Sequence, residues 1–379
     1  MIAAVSCTKE DKAENVIYLI GDGMGFGAVT SLLLSESEPT GFELGNPVIG
    51  LSETCSADNY VTDSAAGGTA LATGTRTRNG FLGADPDTAQ LTSVLKKAQA
   101  MGKKSGIVVN TVLTEATPGA FYAGVPSRSM SYRIADQFVE SGVDVAIGSG
   151  ITAFINRPDS VDLTKTLIEK GYDVYLDWPA AATAKSEKFV GILPHSTIHR
   201  RNAARAKAAG AADGAEVCYA AQMASNSNVD DGTVPPLDPS QYLTLAVDKA
   251  LGTLTKSSRK GFFLMIESAI IDGYGHNNDS EGMIEEMQEF DRTLKLLVEY
   301  VNNHPNTLLV VTADHETGGT YVSYLKHEVG EELPIQLGFS TKGHTGTVVP
   351  VFAYGAGSKA FGKVMKNKEV PGVIESVMK

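Results

Sequence analysis

Six short segments of this chain are almost continuously apolar: residues 15–22, 105–110, 143–148, 261–267, 307–314 and 348–355, all rich in Val, Ile, Leu, Phe and Met. A strand with one wet face alternates apolar and polar positions. A run without alternation reads as a strand buried on both faces, as in a parallel sheet. Between these runs the spacing changes to that of amphipathic helices. The pattern predicts helices from residue 69 onward and over 91–101, 131–141, 163–170, 242–251 and 283–302. Strands alternating with helices predict an α/β fold, a mainly parallel central sheet with helices on both faces. Residues 201–236 depart from it, with an Ala-rich helical start and a Ser, Asn, Asp, Gly and Pro-rich end that reads as a loop.

In such sheets ligands bind outside the carboxyl ends of the strands. Asp22, Glu267 and Asp314 each close one of the apolar runs. Three carboxylates gathered there would repel one another and resist ionisation unless a cation joined them, so they form a candidate metal cage.

Composition narrows the reading. The chain has 379 residues, 42% of them hydrophobic, ample for a large core. Its 44 acidic and 32 basic residues give a net charge of −12, so no nucleic-acid partner is expected. An anionic substrate remains compatible, because metal ions can reverse the local field. No apolar run reaches the roughly 20 residues of a membrane span. Met1 to Cys7 ends in small residues and a cysteine and is followed by a polar run. Residues 1–13 therefore read as a signal or lipobox remnant or a disordered leader, with Cys7 as a possible lipid anchor and a periplasmic or cell-surface location. An expression remnant before a cytoplasmic protein is the alternative. Cys55 and Cys218 could form a disulfide, but their proximity is not readable from sequence.

Candidate chemistry sits in several motifs. Asp63 and Ser64 open a run of very small residues, Ala65, Ala66, Gly67 and Gly68. Such a run suits a helix whose first turn lies against an anion, and its serine is either an N-cap or a nucleophile. Asp272 and His276 are spaced to share one helical face, and an aspartate oxygen with a histidine nitrogen suits zinc. Asp314 and His315 follow the strongest strand run, and His344 could complete a site. Gly23, Gly25 and Ala28 match a loose dinucleotide fingerprint, but Asp22 beside them favours a metal over a pyrophosphate. His195 and His199 have helical spacing without the glutamate of a zinc-protease motif.

Taken in order, Gly21-Asp22-Gly23-Met24-Gly25, Thr62-Asp63-Ser64-Ala65-Ala66, Thr117-Pro118, Arg128, Glu267, Asp272 with His276, Asp314-His315-Glu316-Thr317-Gly318-Gly319 and Gly343-His344-Thr345 resemble the bacterial alkaline phosphatases over residues 15–355. The resemblance implies a single catalytic domain over 14–379 that hydrolyses phosphate monoesters through a phosphoserine on Ser64, with Arg128 gripping the phosphate. It implies two Zn2+ and one Mg2+ as cofactors. Asp272, His276 and His344 would hold one zinc, and Asp22, Asp314 and His315 the other. Asp22, Thr117 and Glu267 would hold the magnesium. Inorganic phosphate would be product and inhibitor.

Two positions depart from the family pattern. Glu115 stands where relatives commonly carry His or Asp, and is expected to reach the third metal or its water shell. Gly273 stands where relatives often carry Lys, His or Trp, which predicts a more open pocket. Relatives are generally dimers, so a homodimer is expected, with a short interface insertion near 320–341. A phosphodiesterase or sulfatase on the same scaffold is the nearest alternative. Ser64 and Arg128 favour monoesters, because arginine matches a dianionic phosphoryl group. A catalytically silent phosphate- or metal-binding protein would have lost a nucleophile or ligand, and none is lost here.

Overall fold

The computed structural model describes residues 12–155, 157–193, 241–323 and 335–379. Cys7, the 201–236 segment with Cys218, the pair His195 and His199, and residues 324–334 of the expected insertion lie outside the described residues. The architecture is a mixed, mostly parallel sheet flanked by helices.

Ten strands form the main sheet: β1 (Asn15–Gly21), β2 (Val48–Glu53), β3 (Lys104–Val112), β4 (Val145–Ser149), β5 (Asp173–Tyr175), β6 (Phe189–Leu193), β7 (Phe262–Ser268), β8 (Thr307–Thr312), β13 (Val349–Gly355) and β14 (Val364–Lys366). Two ribbons lie beside it, β9 (Glu316–Thr317) with β12 (His344–Thr345), and β10 (Thr320–Val322) with β11 (Leu337–Phe339). The order across the sheet is β14-β2-β13-β8-β1-β7-β3-β4-β6-β5. Strand β13 runs antiparallel to both neighbours, and the other pairings are parallel. The sixth apolar run, grouped by pattern with the parallel strands, is therefore inverted. The pattern reports burial on two faces, and burial does not record direction.

The continuous apolar runs follow from two cores. Val16, Tyr18 and Ile20 of β1 pack on one side with Ile107, Val109, Phe263, Met265 and Val310. Ile17 and Leu19 pack on the other with Val108, Leu264, Ile266, Leu309 and Val311. Strands β2, β5, β6 and β14 were not anticipated. Strand β2 is partly exposed and β14 is three residues long, so neither has a long apolar run.

The helix expected from residue 69 spans Ser64–Thr73. Its first turn is built of Ala and Gly, which carry little periodic signal. Helix Ile270–Asn277 carries Asp272 and His276 as their spacing predicts, whereas helices Phe26–Ser35 and Val370–Val377 have no counterpart in the sequence pattern. What the topology does for the site is bring together the carboxyl ends of four adjacent strands. Asp22 follows β1, Glu267 ends β7, Thr117 lies in the helix after β3, and Asp314 follows β8.

Candidate active site

Helix Ser64–Thr73 is capped by Asp63, whose Oδ1 accepts the Ala66 N–H at 2.9 Å while its Oδ2 accepts the Gly80 N–H at 2.8 Å. The capping role open to Ser64 is thus filled by its neighbour. Ser64 is the first helical residue, buried, with its hydroxyl free to face the site. The small residues behind it have a steric reason. A Cβ on Gly68 would lie 2.9 Å from Thr117 Cα, and one on Gly67 would lie 3.2 Å from Asp314 Cβ.

Two clusters of side chains converge in front of this helix. In the first, His276 Nε2 lies 3.3 Å from Asp272 Oδ2, His344 Nε2 lies 3.4 Å from Asp272 Oδ1, and the two Nε2 atoms are 3.2 Å apart. In the second, His315 Nε2 lies 3.2 Å from Asp314 Oδ2, 3.5 Å from Asp22 Oδ1 and 3.3 Å from Ser64 Oγ. The His315 and His344 rings stack at 3.6 Å and join the clusters.

The outer ring nitrogens fix the tautomers. His276 Nδ1 faces the Lys342 carbonyl at 2.5 Å and His344 Nδ1 faces the Thr62 carbonyl at 2.9 Å. A carbonyl only accepts, so each Nδ1 carries a proton, and each Nε2 presents a lone pair only once its ring is neutral. Thr317 donates its hydroxyl proton to Asp272 Oδ1 at 2.5 Å, so it accepts from His315 Nδ1 at 3.1 Å. His315 Nε2 is then also a lone pair, and Ser64 donates to it.

Around His315, a lone pair and carboxylate oxygens therefore meet with few protons between them. Asp22 Oδ1, Asp314 Oδ2 and both oxygens of Glu267 are buried without a hydrogen-bond donor. Burial pushes Asp22 well above the usual carboxylate range, and repulsion from Asp314, Asp272 and Glu267 adds to it. Burial does the same to Glu267, with Glu115 and Asp314 adding; the nearby Thr117 hydroxyl offsets part of this without completing a hydrogen bond. Burial and Asp272 raise Asp314 to about 7. Burial holds His315 well below its ordinary value. Asp272 is opposite: burial is outweighed by hydrogen bonds from His276 and His344, which hold it low.

Each cluster fits a zinc ion. Ligand atoms about 2.0–2.1 Å from a tetrahedral zinc lie about 3.3 Å from one another, and the contacts above run from 3.2 to 3.5 Å. A hard cation suits the Glu267 and Thr117 oxygens. Among the described residues, Asp272 with His315 and His344, and Asp22 with Asp314 and His315, close into tight groups of possible ligands, and His276 joins the first through its contacts with Asp272 and His344.

Glu115 is engaged elsewhere. Its Oε1 accepts from Arg128 Nη2 at 2.6 Å and from the Ala116 N–H at 3.1 Å. Arg128 Nη1 lies 3.7 Å from Asp63 Oδ2, so the two carboxylates flank the guanidinium. At Gly273 an added Cβ would meet nothing within 4 Å, so the wall beside Asp272 is open.

The alkaline phosphatase family model matches residues 13–336. The chain belongs to the alkaline phosphatase family. Its members hydrolyse phosphate monoesters and depend on metal ions, and this chain is a phosphomonoester hydrolase. It is 30% identical to the alkaline phosphatase of Escherichia coli K12 over 410 residues, 93% of this chain and 83% of that protein. The solved alkaline phosphatase of the Antarctic bacterium TAB5 superposes with a TM-score of 0.80 at 29% identity, covering 97% of this chain and 98% of that one. A variant of the TAB5 enzyme, with a histidine replaced by glutamate and magnesium bound in its M3 site, superposes with a TM-score of 0.78 at 30% identity over the same shares.

Close packing accounts for the glycines of the dinucleotide-like fingerprint in this alkaline phosphatase. Gly23 has φ +75, and a Cβ there would lie 2.8 Å from Asp272 Cα; one on Gly25 would lie 2.1 Å from Glu316 Cγ. These glycines admit neighbouring site segments. Asp63 caps the serine helix and Thr317 bridges Asp272 to His315, roles that their places in the sequence motifs do not reveal.

Proposed function

We propose that this phosphomonoester hydrolase works through a phosphoserine on Ser64, with two zinc ions and one magnesium ion. The observation that carries the reading is the meeting of Ser64 Oγ, His315 Nε2 and the donor-less oxygens of Asp22 and Asp314 at one helix N-terminus. Asp272, His276 and His344 would hold the first zinc. Asp22, Asp314 and His315 would hold the second. Asp22, Thr117 and Glu267 would hold magnesium, with Glu115 at its margin. Bound there, the ions supply a lowered serine pKa and neutralise charge on the phosphoryl and leaving oxygens.

The chain's own residues do the rest. The Ser64 oxygen, its proton passed to solvent, attacks phosphorus; the ester P–O bond breaks in line, and the departing oxygen takes a proton from water to leave as the alcohol. Arg128 turns from Glu115 to donate two N–H groups to phosphoryl oxygens. The free N–H groups of the Ser64–Thr73 helix favour the same anion. Water then cleaves the phosphoserine bond and releases inorganic phosphate, which inhibits through the same contacts. The magnesium-bound TAB5 glutamate variant supports a glutamate being compatible with a magnesium site in this family.

Metal analysis with acid-quench trapping tests the reading. Two zinc and one magnesium per chain, with phosphate on Ser64, is the expected result. Ser64→Ala should stop turnover while phosphate still binds; retained turnover removes Ser64 from the mechanism. Monoesters should be cleaved faster than diesters or sulfate esters. A homodimer and an exported, Cys7-anchored form complete the proposal; light scattering and the mass of the membrane-extracted protein check them.

A further inference from the structure

The two ends of the sheet differ in charge. The carboxyl ends of the strands carry Asp22, Glu115, Glu267, Asp272 and Asp314. The opposite end, around the starts of β1, β7 and β3, carries Lys12, Lys103, Lys104, Lys256, Arg259, Lys260 and Lys379. The fold accounts for some of these. Lys103 Nζ donates to the Glu14 and Lys260 carbonyls at 2.6 and 2.9 Å. Lys104 pairs with Asp144 at 2.9 Å and Lys379 with Glu14 at 2.6 Å. Lys256 lies in the last turn of helix Tyr242–Ser257, where a cation suits the dipole.

Arg259 and Lys260 have no such role. Both are exposed, and among the described residues no carboxylate forms an ion pair with them, with Lys12 or with Lys256. Glu36 bonds Gln288 midway along helix Ser280–Asn303, on the flank, whereas Glu299 lies near the end of that helix beside Tyr300, which bonds Thr255, and so adds one carboxylate to the basic end. Among the described residues the basic sector thus keeps four cations, Lys12, Lys256, Arg259 and Lys260, outside any ion pair on a chain of net charge −12, with Lys12 Nζ donating to the Ser376 carbonyl.

The chain path adds a second observation. The Ala13 N–H bonds to the Val377 carbonyl at 2.8 Å and the Lys379 N–H to the Ala13 carbonyl at 2.9 Å. Lys12 therefore stands at this basic end. Cys7 is five residues upstream, and five extended residues reach at most about 18 Å.

We infer that this basic end docks on an anionic lipid surface, with the active-site mouth turned away from it. The inference deepens the proposed anchor at Cys7 and is independent of the catalytic reading. An acyl chain on Cys7 would hold the lysines close to the bilayer. The acidic mouth would lie beyond the length of β1, about 23 Å, more than twice the Debye length of about 8–10 Å. Screening then removes most of the repulsion that the net charge would otherwise cause.

The test uses the full chain carrying Cys7→Ser, so that no acyl group contributes. It is sedimented with phosphatidylcholine vesicles, with and without phosphatidylglycerol. Binding should require phosphatidylglycerol and weaken with salt. Each basic residue near such a surface strengthens binding about five-fold, so Lys256→Glu, Arg259→Glu and Lys260→Glu together should weaken it by roughly 100-fold or more. Hydrolysis of a soluble monoester should be unchanged, which also reports a folded enzyme. Lys165→Glu, Lys366→Glu and Lys368→Glu make the same charge change elsewhere and should leave most of the binding intact. Equal binding to both vesicles, or equal loss in both triple variants, overturns the inference. The mass of the membrane-extracted native protein reports acylation separately, so failure of the anchor and failure of the docking face are distinguishable.

Discussion

Zinc binding to the metal-free enzyme should eject a proton, and the site's hydrogen bonds set how much and at what pH. His276 is raised to about 9 by its hydrogen bond with Asp272, against burial, with help from the Lys342 carbonyl. His344 is also raised, because Asp272 and the Thr62 carbonyl overcome its burial. In effect, a proton occupies the place where the lone pairs meet. With a pKa of about 9, His276 is about nine-tenths protonated at pH 8. Asp314, at about 7, is about one-tenth protonated there. Zinc takes only the deprotonated ligands. Titration calorimetry at pH 8, in buffers of different ionisation heat, should therefore report about one proton released per first-site zinc, with His344 adding to it. Release should fall as pH passes 9. Apparent affinity should rise by up to about tenfold per pH unit below 9 and then level off. The sign for the metal-free fold follows. His276 is raised above its unfolded value of 6.5, so its stabilisation is complete below that pH and lost as pH rises through about 9. Asp272→Asn removes the largest cause, so release at pH 8 should drop well below one. Negligible release from the native enzyme, or release unchanged in Asp272→Asn, would refute the tautomer argument.

Other expectations follow from single contacts. In Glu115→Gln the 2.6 Å pair with Arg128 loses its charge; both side chains are a third exposed, so the pair is worth about 1 kcal/mol, and inhibition by phosphate should tighten up to about five-fold. An unchanged inhibition constant would mean that phosphate does not compete with Glu115 for the guanidinium. Magnesium should bind the native enzyme more tightly than Glu115→His; titration showing equal or weaker affinity rejects a glutamate role at the third metal. Gly273→Lys meets no obstacle at its Cβ, so it should fold normally and bind phosphate more tightly, and an unaltered inhibition constant would count against the open-wall reading. Gly68→Ala places a methyl 2.9 Å from Thr117 Cα and should cost about 1–3 kcal/mol, visible as a lower Tm; wild-type stability would show that the helix can shift.

Much was legible in the chain. Apolar runs located the central strands because each is buried on both faces, and strand-end position picked out Asp22, Glu267 and Asp314 before any contact was known. Spacing put Asp272 and His276 on one helical face. Motif order tied these residues to Ser64, Arg128 and a family.

Other features depended on contacts between distant segments. Hydrophobic pattern records burial without direction, so the inversion of β13 needed its neighbours. It is silent where residues are small, so the helix start at Ser64 came from Asp63 meeting the Ala66 and Gly80 N–H groups. Nor can a residue's type say which nitrogen of His276, His315 or His344 presents a lone pair. That depends on the Lys342 and Thr62 carbonyls and the Thr317 hydroxyl. Glu115 reads as a metal-side carboxylate by position, yet its Oε1 rests on Arg128 because the chain brings that guanidinium 2.6 Å away. Sequence determined which groups the site contains. Tertiary structure decided which of their atoms face one another, because direction, tautomer and pairing are relations between segments far apart in the chain.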